Sequence, residues 1–277
     1  MIKIEHLIEL AMEAGQIMTE AEQIERKVES KEGHANFVTE YDSRIQRFLA
    51  EHLTELDAEA AFLGEEDGKE LFLPEYKKGT LYVIDPIDGT TNFIMGYRLS
   101  VVSIGVLSDG MPWQGVIYNP YSKECFFAEK GKGAWMCRGE KKMPFSALGE
   151  DNTIGVVRLC TSKRPLSESI VLMGTAPYYE ELQEQVFGAA RTYFQKSMDL
   201  RRSGSAAWDL CCIASGRAGL YFEHRLGLWD YAAGALVVME AGGKITDMKG
   251  KELSFTGSSS ALAVSEGIAA GREEYLL

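Results

Sequence analysis

The chain has 277 residues, of which 45% are hydrophobic and 25% are charged, and this composition is that of a globular protein. Lysine and arginine number 29 against 41 acidic residues, and the formal net charge of −12 disfavours broad binding to nucleic acid or to an anionic membrane surface. An anionic ligand would also be repelled unless the chain supplies local cations, either as focused side chains or as bound metal ions.

The five cysteines follow no CxxC or similar spacing, and their odd number leaves at least one unpaired, which predicts a reducing, cytoplasmic location. The four histidines are scattered, which argues against a zinc site, so any metal is expected to be hard and bound by oxygen. The first 21 residues resemble an amphipathic helix rather than a signal peptide. No stretch approaches the ~20 apolar residues of a membrane span, and we therefore expect a soluble protein.

Helical periodicity predicts two N-terminal helices, over residues 1–21 and 45–56, with a polar, glycine-containing loop at 28–37 between them. Short apolar runs then predict strands at 61–63, 81–84, 99–107, 113–118 and 124–128. Asp109-Gly110 is a hairpin turn signal. Helices followed by adjacent strands favour an α+β layer with a largely antiparallel sheet.

From about residue 153 the pattern changes to alternating strands and helices. Strands are predicted at 154–159, 220–223, 244–246 and 261–264, and helices at 167–173, 180–190, 206–215 and 231–240. This half is therefore expected to be α/β. The change predicts a domain boundary near residue 146, with an N-terminal domain over 1–145 and a C-terminal domain over 146–277.

The most informative stretch is LYVIDPIDGTTNF, residues 81–93. An apolar strand ends in Asp85, Pro86 is expected to end the strand, and Asp88 precedes a Gly-Thr pair that can open a short helix. The free amides of Gly89 and Thr90 would then suit a phosphate oxygen. The alternative is a strand followed by an ordinary capped turn.

Other acids follow predicted element ends. Glu65 comes after the strand at 61–63, and carboxylates at two strand ends of one sheet can converge on Mg²⁺, although a solvated turn is the commoner explanation. Asp230 begins the last strong helix, either as an N-cap or as a rigid metal ligand. Thr39 and Asp42 match a capping box, a pattern that suits a structural or a functional role equally. Glu223 ends a predicted strand and is unremarkable by itself.

Three motifs together resemble the inositol monophosphatase family of Mg²⁺-dependent, lithium-sensitive sugar phosphatases. They are GEE at 64–66, DPIDGTTNF at 85–93, and WDYAAG at 229–234 with EAGG at 240–243. The resemblance covers most of the chain and is weakest over 141–200. It implies the layered αβαβα sandwich of these phosphatases and a homodimer.

The implied reaction is hydrolysis of a small phosphorylated polyol by metal-activated water, with myo-inositol 1-phosphate the first expectation. Fructose 1,6-bisphosphate is the main alternative substrate, and histidinol phosphate and 3′-phosphoadenosine 5′-phosphate are less favoured. A regulatory protein that keeps the fold and binds a protein or RNA partner is an alternative of a different class.

The resemblance also implies a role for individual residues around two or three Mg²⁺ ions. The implied ligands are Glu65, Asp85 and the Ile87 carbonyl for a first ion, Asp85, Asp88 and Asp230 for a second, and Glu65 again for a third. Asp42 and Thr90 would position or deprotonate the attacking water, and the Gly89 and Thr90 amides would hold the phosphate. The Ala206 amide and Glu223 would face the sugar hydroxyls together with Asp88 and Asp230. Lys31 would lie near the metals.

Overall fold

The structure is a computed structural model that describes residues 2–20, 28–30, 37–66, 78–139, 155–256 and 267–276. The helices of the described residues are α1 (Ile4–Glu20), α2 (Glu40–Leu56), α3 (Thr90–Ile94), α4 (Gln183–Phe194), α5 (Ala206–Ala214) and α6 (Leu228–Glu240). The strands are β1 (Val28–Ser30), β2 (Phe37–Thr39), β3 (Ala61–Gly64), β4 (Thr80–Asp88), β5 (Val101–Ser108), β6 (Met111–Asn119), β7 (Glu124–Glu129), β8 (Ala134–Arg138), β9 (Val156–Arg158), β10 (Ile170–Met173), β11 (Asp199–Arg201), β12 (Leu220–Glu223), β13 (Lys244–Asp247) and β14 (Ile268–Gly271).

The larger sheet has seven strands in the order β3-β4-β5-β6-β7-β8-β9. Its first pair, β3 and β4, runs parallel, and each later pair is antiparallel. The predicted hairpin turn joins β5 to β6, where Asp109 and Gly110 both have positive φ values, of 49° and 75°. The largely antiparallel sheet expected from the sequence is therefore confirmed.

The smaller sheet has five strands in the order β11-β10-β12-β14-β13. Strands β11, β10 and β12 are parallel to one another, whereas β14 is antiparallel to both of its neighbours. The carboxyl ends of β11, β10 and β12 therefore lie at one edge of this sheet, and the loops that follow them are neighbours in space.

The two sheets and the helices form five layers. Helices α1 and α2 cover one face of the larger sheet, α5 and α6 fill the space between the sheets, and α4 covers the outer face of the smaller sheet. Strand β4 shows how the layers arise, because alternate residues of a strand point to opposite faces of its sheet. Tyr82 and Ile84 face α1 and α2, whereas Leu81 and Val83 face α5 and α6. The predicted αβαβα sandwich is confirmed.

Helix α6 lies unusually close to the larger sheet because glycines and alanines meet there. Gly105 and Gly115 are directly paired on β5 and β6. A Cβ atom at Gly105 would lie 2.9 Å from the Cβ of Ala232, and one at Gly115 would lie 2.6 Å from the carbonyl oxygen of Ala233. This close approach holds the N-terminal half of α6 against the sheet.

Some element predictions were wrong or incomplete. The helix predicted at 167–173 is instead a short 3₁₀ turn, Leu166–Glu168, followed by β10. Its Ile-Val-Leu-Met run is short and apolar, a pattern that periodicity does not assign to helix or strand, and pairing with β11 and β12 makes it a strand. The predicted boundary near 146 and the strand at 261–264 lie outside the described residues.

All five cysteines are free thiols. Among the helices that the structure describes, none combines the length and the apolar character that crossing a bilayer requires.

Candidate active site

A pocket opens at the edge where the parallel strands β3 and β4 end, and Glu65, Asp85, Thr90, Glu223 and Asp230 line it. Glu65 comes one residue after β3, in a turn that is hydrogen-bonded to α2. The buried Gln46 side chain accepts a hydrogen bond from the amide of the next residue, Glu66, at 2.9 Å. The adjacent strand ends predicted from the sequence therefore do meet.

Strand β4 does not end at Pro86 as expected but continues to Asp88. Asp85 pairs with Ser103 and Asp88 with Val101, so three steps along β4 match two steps along β5. This bulge tolerates a proline, which has no amide hydrogen to donate. In a regular strand, residues three apart point to opposite faces, and the extra residue is what turns Asp85 and Asp88 toward the same side.

The carboxylates of Asp85, Asp88 and Asp230 form a cluster in which one oxygen from each lies within 4.8 Å of the others. Asp230 is not the N-cap considered above but the third residue of α6, and its Oδ2 accepts a 2.6 Å hydrogen bond from the amide of the N-cap residue, Gly227. This bond and the close packing of α6 on the sheet fix Asp230 across from β4.

Burial raises the pKa of Asp85 well above its ordinary value, and the carboxylates of Glu65, Asp88, Asp230 and Asp42 raise it further. Burial likewise raises the pKa of Asp230 well above its usual range, with Asp88 and Glu65 adding to the effect. A divalent cation is the partner that would stabilise all of these groups in ionised form. The donors are carboxylate oxygens, which suit a hard ion such as Mg²⁺, so the residues present fit such a metal.

Asp42 is fully buried, and its two carboxylate oxygens accept hydrogen bonds from different residues. Oδ2 accepts hydrogen bonds from the amide and the hydroxyl of Thr39, at 2.8 and 2.5 Å, so the predicted capping box of α2 is present. Oδ1 accepts a longer hydrogen bond of 3.5 Å from the hydroxyl of Thr90, which also donates to the Ile87 carbonyl at 3.2 Å. The structural and functional interpretations of Asp42 are therefore compatible.

The Gly-Thr pair opens helix α3, as the sequence predicts, with Gly89 as its N-cap. Gly89 has a φ of 90°, and a Cβ there would lie 3.1 Å from the carbonyl oxygens of Gly204 and Leu99, so a larger residue does not fit. The Asn92 side chain donates to the carbonyls of Leu99 and Ser203, at 2.7 and 3.0 Å. These bonds tie the start of α3 to the loop that precedes α5.

Asp88 accepts hydrogen bonds from the start of α5. The Ser205 hydroxyl donates to Oδ2 at 2.6 Å, the Ala207 amide donates to Oδ2 at 2.7 Å, and the Ala206 amide donates to Oδ1 at 3.3 Å. Burial raises the pKa of Asp88 to about 6, although these hydrogen bonds act in the opposite direction. The Ala206 amide, expected at the sugar hydroxyls, thus donates to Asp88 here. Ser205 belongs to the segment 204–207, which resembles the family's substrate-contacting turn, but its own contact with Asp88 was not predicted.

Glu223 lies at the end of β12, where its Oε2 accepts a 2.6 Å hydrogen bond from the Tyr221 hydroxyl. Burial raises the pKa of Glu223 to about 7, against the lowering effect of hydrogen bonds from Tyr221 and the Ala176 amide. Its carboxylate occupies the space beside Gly174, where a Cβ would lie 1.8 Å away. Glu223 therefore faces the pocket in a fixed position.

Four residues that sequence reasoning missed also line the pocket, namely Tyr178, Tyr179, Arg202 and Arg225. Tyr178 is 44% exposed and is therefore not a core residue. No local motif marks these four positions, because strand pairing in the smaller sheet brings them together. Lys31 lies outside the described residues.

Comparisons with known proteins identify the family of the chain. A sequence model of the inositol monophosphatase family matches residues 3–276. The chain belongs to the inositol monophosphatase family. It is 32% identical over 250 residues to inositol monophosphatase 3 of Solanum lycopersicum, an alignment that covers 90% of this chain and 87% of that protein. It is 30% identical to the Nus factor SuhB of Xylella fastidiosa, over 78% of this chain and 71% of that protein.

A solved structure of the extragenic suppressor protein SuhB from Bartonella henselae matches with a TM-score of 0.78 and 28% identity, over 97% of this chain and 93% of that one. The inositol monophosphatase family match spans both halves of the chain, including β3, β4, α5 and α6. Membership of the inositol monophosphatase family supports a phosphatase, and the acidic cluster is a site where a metal could bind.

Proposed function

We propose that this chain is a Mg²⁺-dependent phosphomonoesterase that hydrolyses myo-inositol 1-phosphate to inositol and phosphate. The observation that carries the proposal is the convergence of Asp85, Asp88 and Asp230 beside the amides at the start of α3. Carboxylates suit divalent cations, and amides at a helix start suit a phosphate oxygen. The two kinds of group lie in one pocket.

Two to three ions would be held by acids and one carbonyl. The proposed ligands are Glu65, Asp85 and the Ile87 carbonyl for the first ion, Asp85, Asp88 and Asp230 for the second, and Glu65 for the third. When bound, such ions lower the pKa of water and neutralise charge on a transferring phosphoryl group.

The chain's own residues would bind and orient the reactants. The Gly89 and Thr90 amides would donate to phosphate oxygens. Thr90 Oγ1 lies 3.5 Å from Asp42 Oδ1, so Asp42 can accept a proton passed through that hydroxyl. Glu223 and Asp230 would accept hydrogen bonds from the polyol, and Ala206 would act at the same end of the pocket.

Two alternatives remain as proposals of lower rank. Fructose 1,6-bisphosphate and other small sugar phosphates fit the same chemistry, with histidinol phosphate and 3′-phosphoadenosine 5′-phosphate ranked last. A regulatory role is suggested by relatives named Nus factor SuhB. The acidic cluster favours the enzyme, because a protein that only binds a macromolecule gains nothing from three mutually repelling carboxylates, two of which, Asp85 and Asp88, are buried.

A turnover panel tests the proposal. Phosphate release is measured from the four substrates with Mg²⁺ and with EDTA, for the parent chain, for Asp85→Asn and for Glu51→Gln, which changes an exposed acid on α2 as a control. We expect myo-inositol 1-phosphate to be the best substrate, and activity to disappear with EDTA and in Asp85→Asn. A fully active Asp85→Asn would contradict the assignment, and Mg²⁺ binding without hydrolysis of any substrate would favour the regulatory role.

We also infer a cytoplasmic location from the five free cysteines, and a homodimer from the family resemblance. Sedimentation of the purified protein tests the oligomeric state, and a monomer at micromolar concentration would contradict it.

A further inference from the structure

The wall of the pocket formed by the smaller sheet differs in chemistry from the wall formed by the larger sheet. Around the ends of β3 and β4 lie the acids Glu65, Asp85 and Asp88. The loop that follows β10, residues 174–179, instead lines the same pocket with consecutive apolar and aromatic side chains at positions 176–179. We call this segment the β10 loop.

Strands on both sides of β10 hold the β10 loop in place. The Gly174 amide donates a 3.0 Å hydrogen bond to the carbonyl of Phe222 on β12. Arg202, which follows β11, donates from its Nε to the hydroxyl of Thr175 at 2.9 Å. Because β10 lies between β11 and β12, the start of the loop is fixed from two directions.

The backbone of the β10 loop adopts a conformation that side-chain-bearing residues rarely take. Ala176 has a φ of 40°, in the left-handed region. Its carbonyl accepts a 3.0 Å hydrogen bond from the Tyr179 amide, and its own amide donates to the Glu223 carboxylate. Such a conformation persists only where the surrounding contacts determine it, and it is found mainly at functional sites.

The end of the β10 loop is an aromatic stack. The central carbon of the Arg225 guanidinium lies 4.2 Å from the centroid of the Tyr179 ring, and this contact fixes the ring. The Tyr178 ring meets the Tyr179 ring edge to face, with centroids 6.4 Å apart and an angle of 78° between the ring planes. Tyr178 is therefore held in a defined orientation, although it is 44% exposed.

Tyr178 reaches toward the acidic residues of the pocket. Burial raises the pKa of Tyr178 to about 12, and the charges of Glu65, Asp230 and Glu223 act in the same direction. The phenol is therefore neutral at physiological pH and adds no further charge to the acidic site. Its ring is an apolar surface in the pocket, and a ligand that covers it removes this surface from water.

We propose that the ring of Tyr178 is a platform on which the C–H face of a ring-shaped polyol phosphate packs, so that Tyr178 determines specificity for cyclic over acyclic polyols. The proposal rests on the proposed phosphatase function and deepens it by naming the residue that recognises the ring. In myo-inositol, axial C–H bonds project together from the face opposite the axial hydroxyl, and the equatorial hydroxyls stay free at the ring edge for carboxylates. An acyclic polyol has no such face to place against an aromatic ring.

Myo-inositol 1-phosphate and glycerol 2-phosphate form a matched pair of probes, because both are phosphate esters of a secondary polyol hydroxyl and only the first has a ring. The measurement is the ratio of their kcat/KM values with Mg²⁺. We expect Tyr178→Ala to lower this ratio about fivefold or more, mainly through KM for myo-inositol 1-phosphate. Tyr178→Phe keeps the ring and should keep the parent ratio. The control Phe187→Ala removes a 61% exposed aromatic side chain of α4, outside the pocket, and should also keep it.

An unchanged ratio in Tyr178→Ala would overturn the platform, and so would an equal loss in Tyr178→Phe, which would assign the effect to the hydroxyl. If the parent hydrolyses neither compound, the proposed function fails, and calorimetric titration of the Mg²⁺-loaded protein with both compounds decides the question of the platform. Binding of myo-inositol 1-phosphate that weakens in Tyr178→Ala, with binding of glycerol 2-phosphate unchanged, supports the platform. Equal weakening for both compounds, no weakening, or no binding by the parent refutes it.

Discussion

The hydroxyl of Ser205 donates a 2.6 Å hydrogen bond to Oδ2 of Asp88, and this contact joins the larger sheet to the start of α5 at the candidate metal site. Asp88 stands after the bulge of β4, and Ser205 is the N-cap of α5, where it also accepts from the Trp208 amide at 3.4 Å. The hydroxyl therefore orients a proposed metal ligand and caps a helix at once.

Ser205→Ala removes both contacts. We expect the affinity for Mg²⁺ to fall at least tenfold, because a partner that orients a ligand typically contributes that much. The free energy of unfolding should fall by about 1 kcal/mol, the usual effect of losing an N-cap. Ser205→Thr keeps a hydroxyl and should behave like the parent. Mg²⁺ titration and urea unfolding measure the two effects, and unchanged Mg²⁺ affinity in the alanine variant would show that the contact does not support the site.

Asp42→Asn separates the contribution of Asp42 to the cap of α2 from its proposed role as a base. The asparagine carbonyl can still accept the hydrogen bond from the Thr39 amide, so the cap of α2 should survive. The neutral side chain no longer serves as a base for the Thr90 hydroxyl, so kcat should fall by about 10²-fold, as for loss of a general base. Steady-state kinetics measure the change in kcat, and thermal unfolding with EDTA measures the change in stability. Loss of folding with normal kcat in the surviving fraction would assign Asp42 to the cap alone.

Local motifs were sufficient to find the proposed acidic metal ligands, but not Asp209, a buried acid on α5 that also lines the pocket. Asp85, Asp88 and Thr90 lie within six residues, and Glu65 and Asp230 follow or begin elements whose periodicity is clear. The bulge was not predictable, because a proline after a strand ordinarily indicates its end. The bulge appears only when β4 is paired with β5, since it is a difference between the residue counts of the two strands.

The wall formed by the smaller sheet could not be predicted from the sequence. Arg202 and Arg225 are 23 positions apart, and their common approach to residues 175–179 depends on the strand order β11-β10-β12. The sequence did not predict this strand order, because β10 was predicted as a helix and β11 was not predicted at all. Tertiary pairing, rather than local propensity, determines both elements.

Glu223 should make the metal-free protein less stable as pH rises. Burial raises its folded-state pKa to about 7, whereas an unfolded glutamate titrates near ~4.3. Between these values the folded state holds a proton that the unfolded state has lost, so the free energy of unfolding falls as pH rises through this window. Urea unfolding in EDTA should show higher stability at pH 5.5 than at pH 8.

Glu223→Gln removes this titration, so the variant should gain stability relative to the parent at pH 8 and show a shallower pH dependence. Burial also raises the pKa values of Asp88 and Asp209, so the free energy of unfolding of this variant should still fall as pH rises, although less steeply than in the parent. Glu184→Gln, an exposed change on α4, is the control and should keep the parent slope. A slope unchanged by Glu223→Gln would mean that Glu223 is not protonated in the folded state near neutral pH.

Gly115→Ala tests whether the close packing of α6 positions Asp230. The added Cβ would lie 2.6 Å from the carbonyl oxygen and 3.0 Å from the Cα of Ala233, and backbone atoms cannot yield unless the helix moves. We expect the free energy of unfolding to fall by about 2 kcal/mol, as for other overpacked sites. Asp230, three residues before Ala233, would move with the helix, so the affinity for Mg²⁺ should fall as well.

Gly188→Ala on α4 is the matched control, since no atom lies within 4 Å of its added Cβ. Replacing glycine in an open helix position should raise stability by about 0.5–1 kcal/mol and leave Mg²⁺ affinity unchanged. Urea unfolding in EDTA and Mg²⁺ titration measure both variants. If Gly115→Ala lost stability but bound Mg²⁺ as tightly as the parent, the position of Asp230 would not depend on the contact between α6 and the sheet, and its hydrogen bond to the Gly227 amide would have to hold it in place.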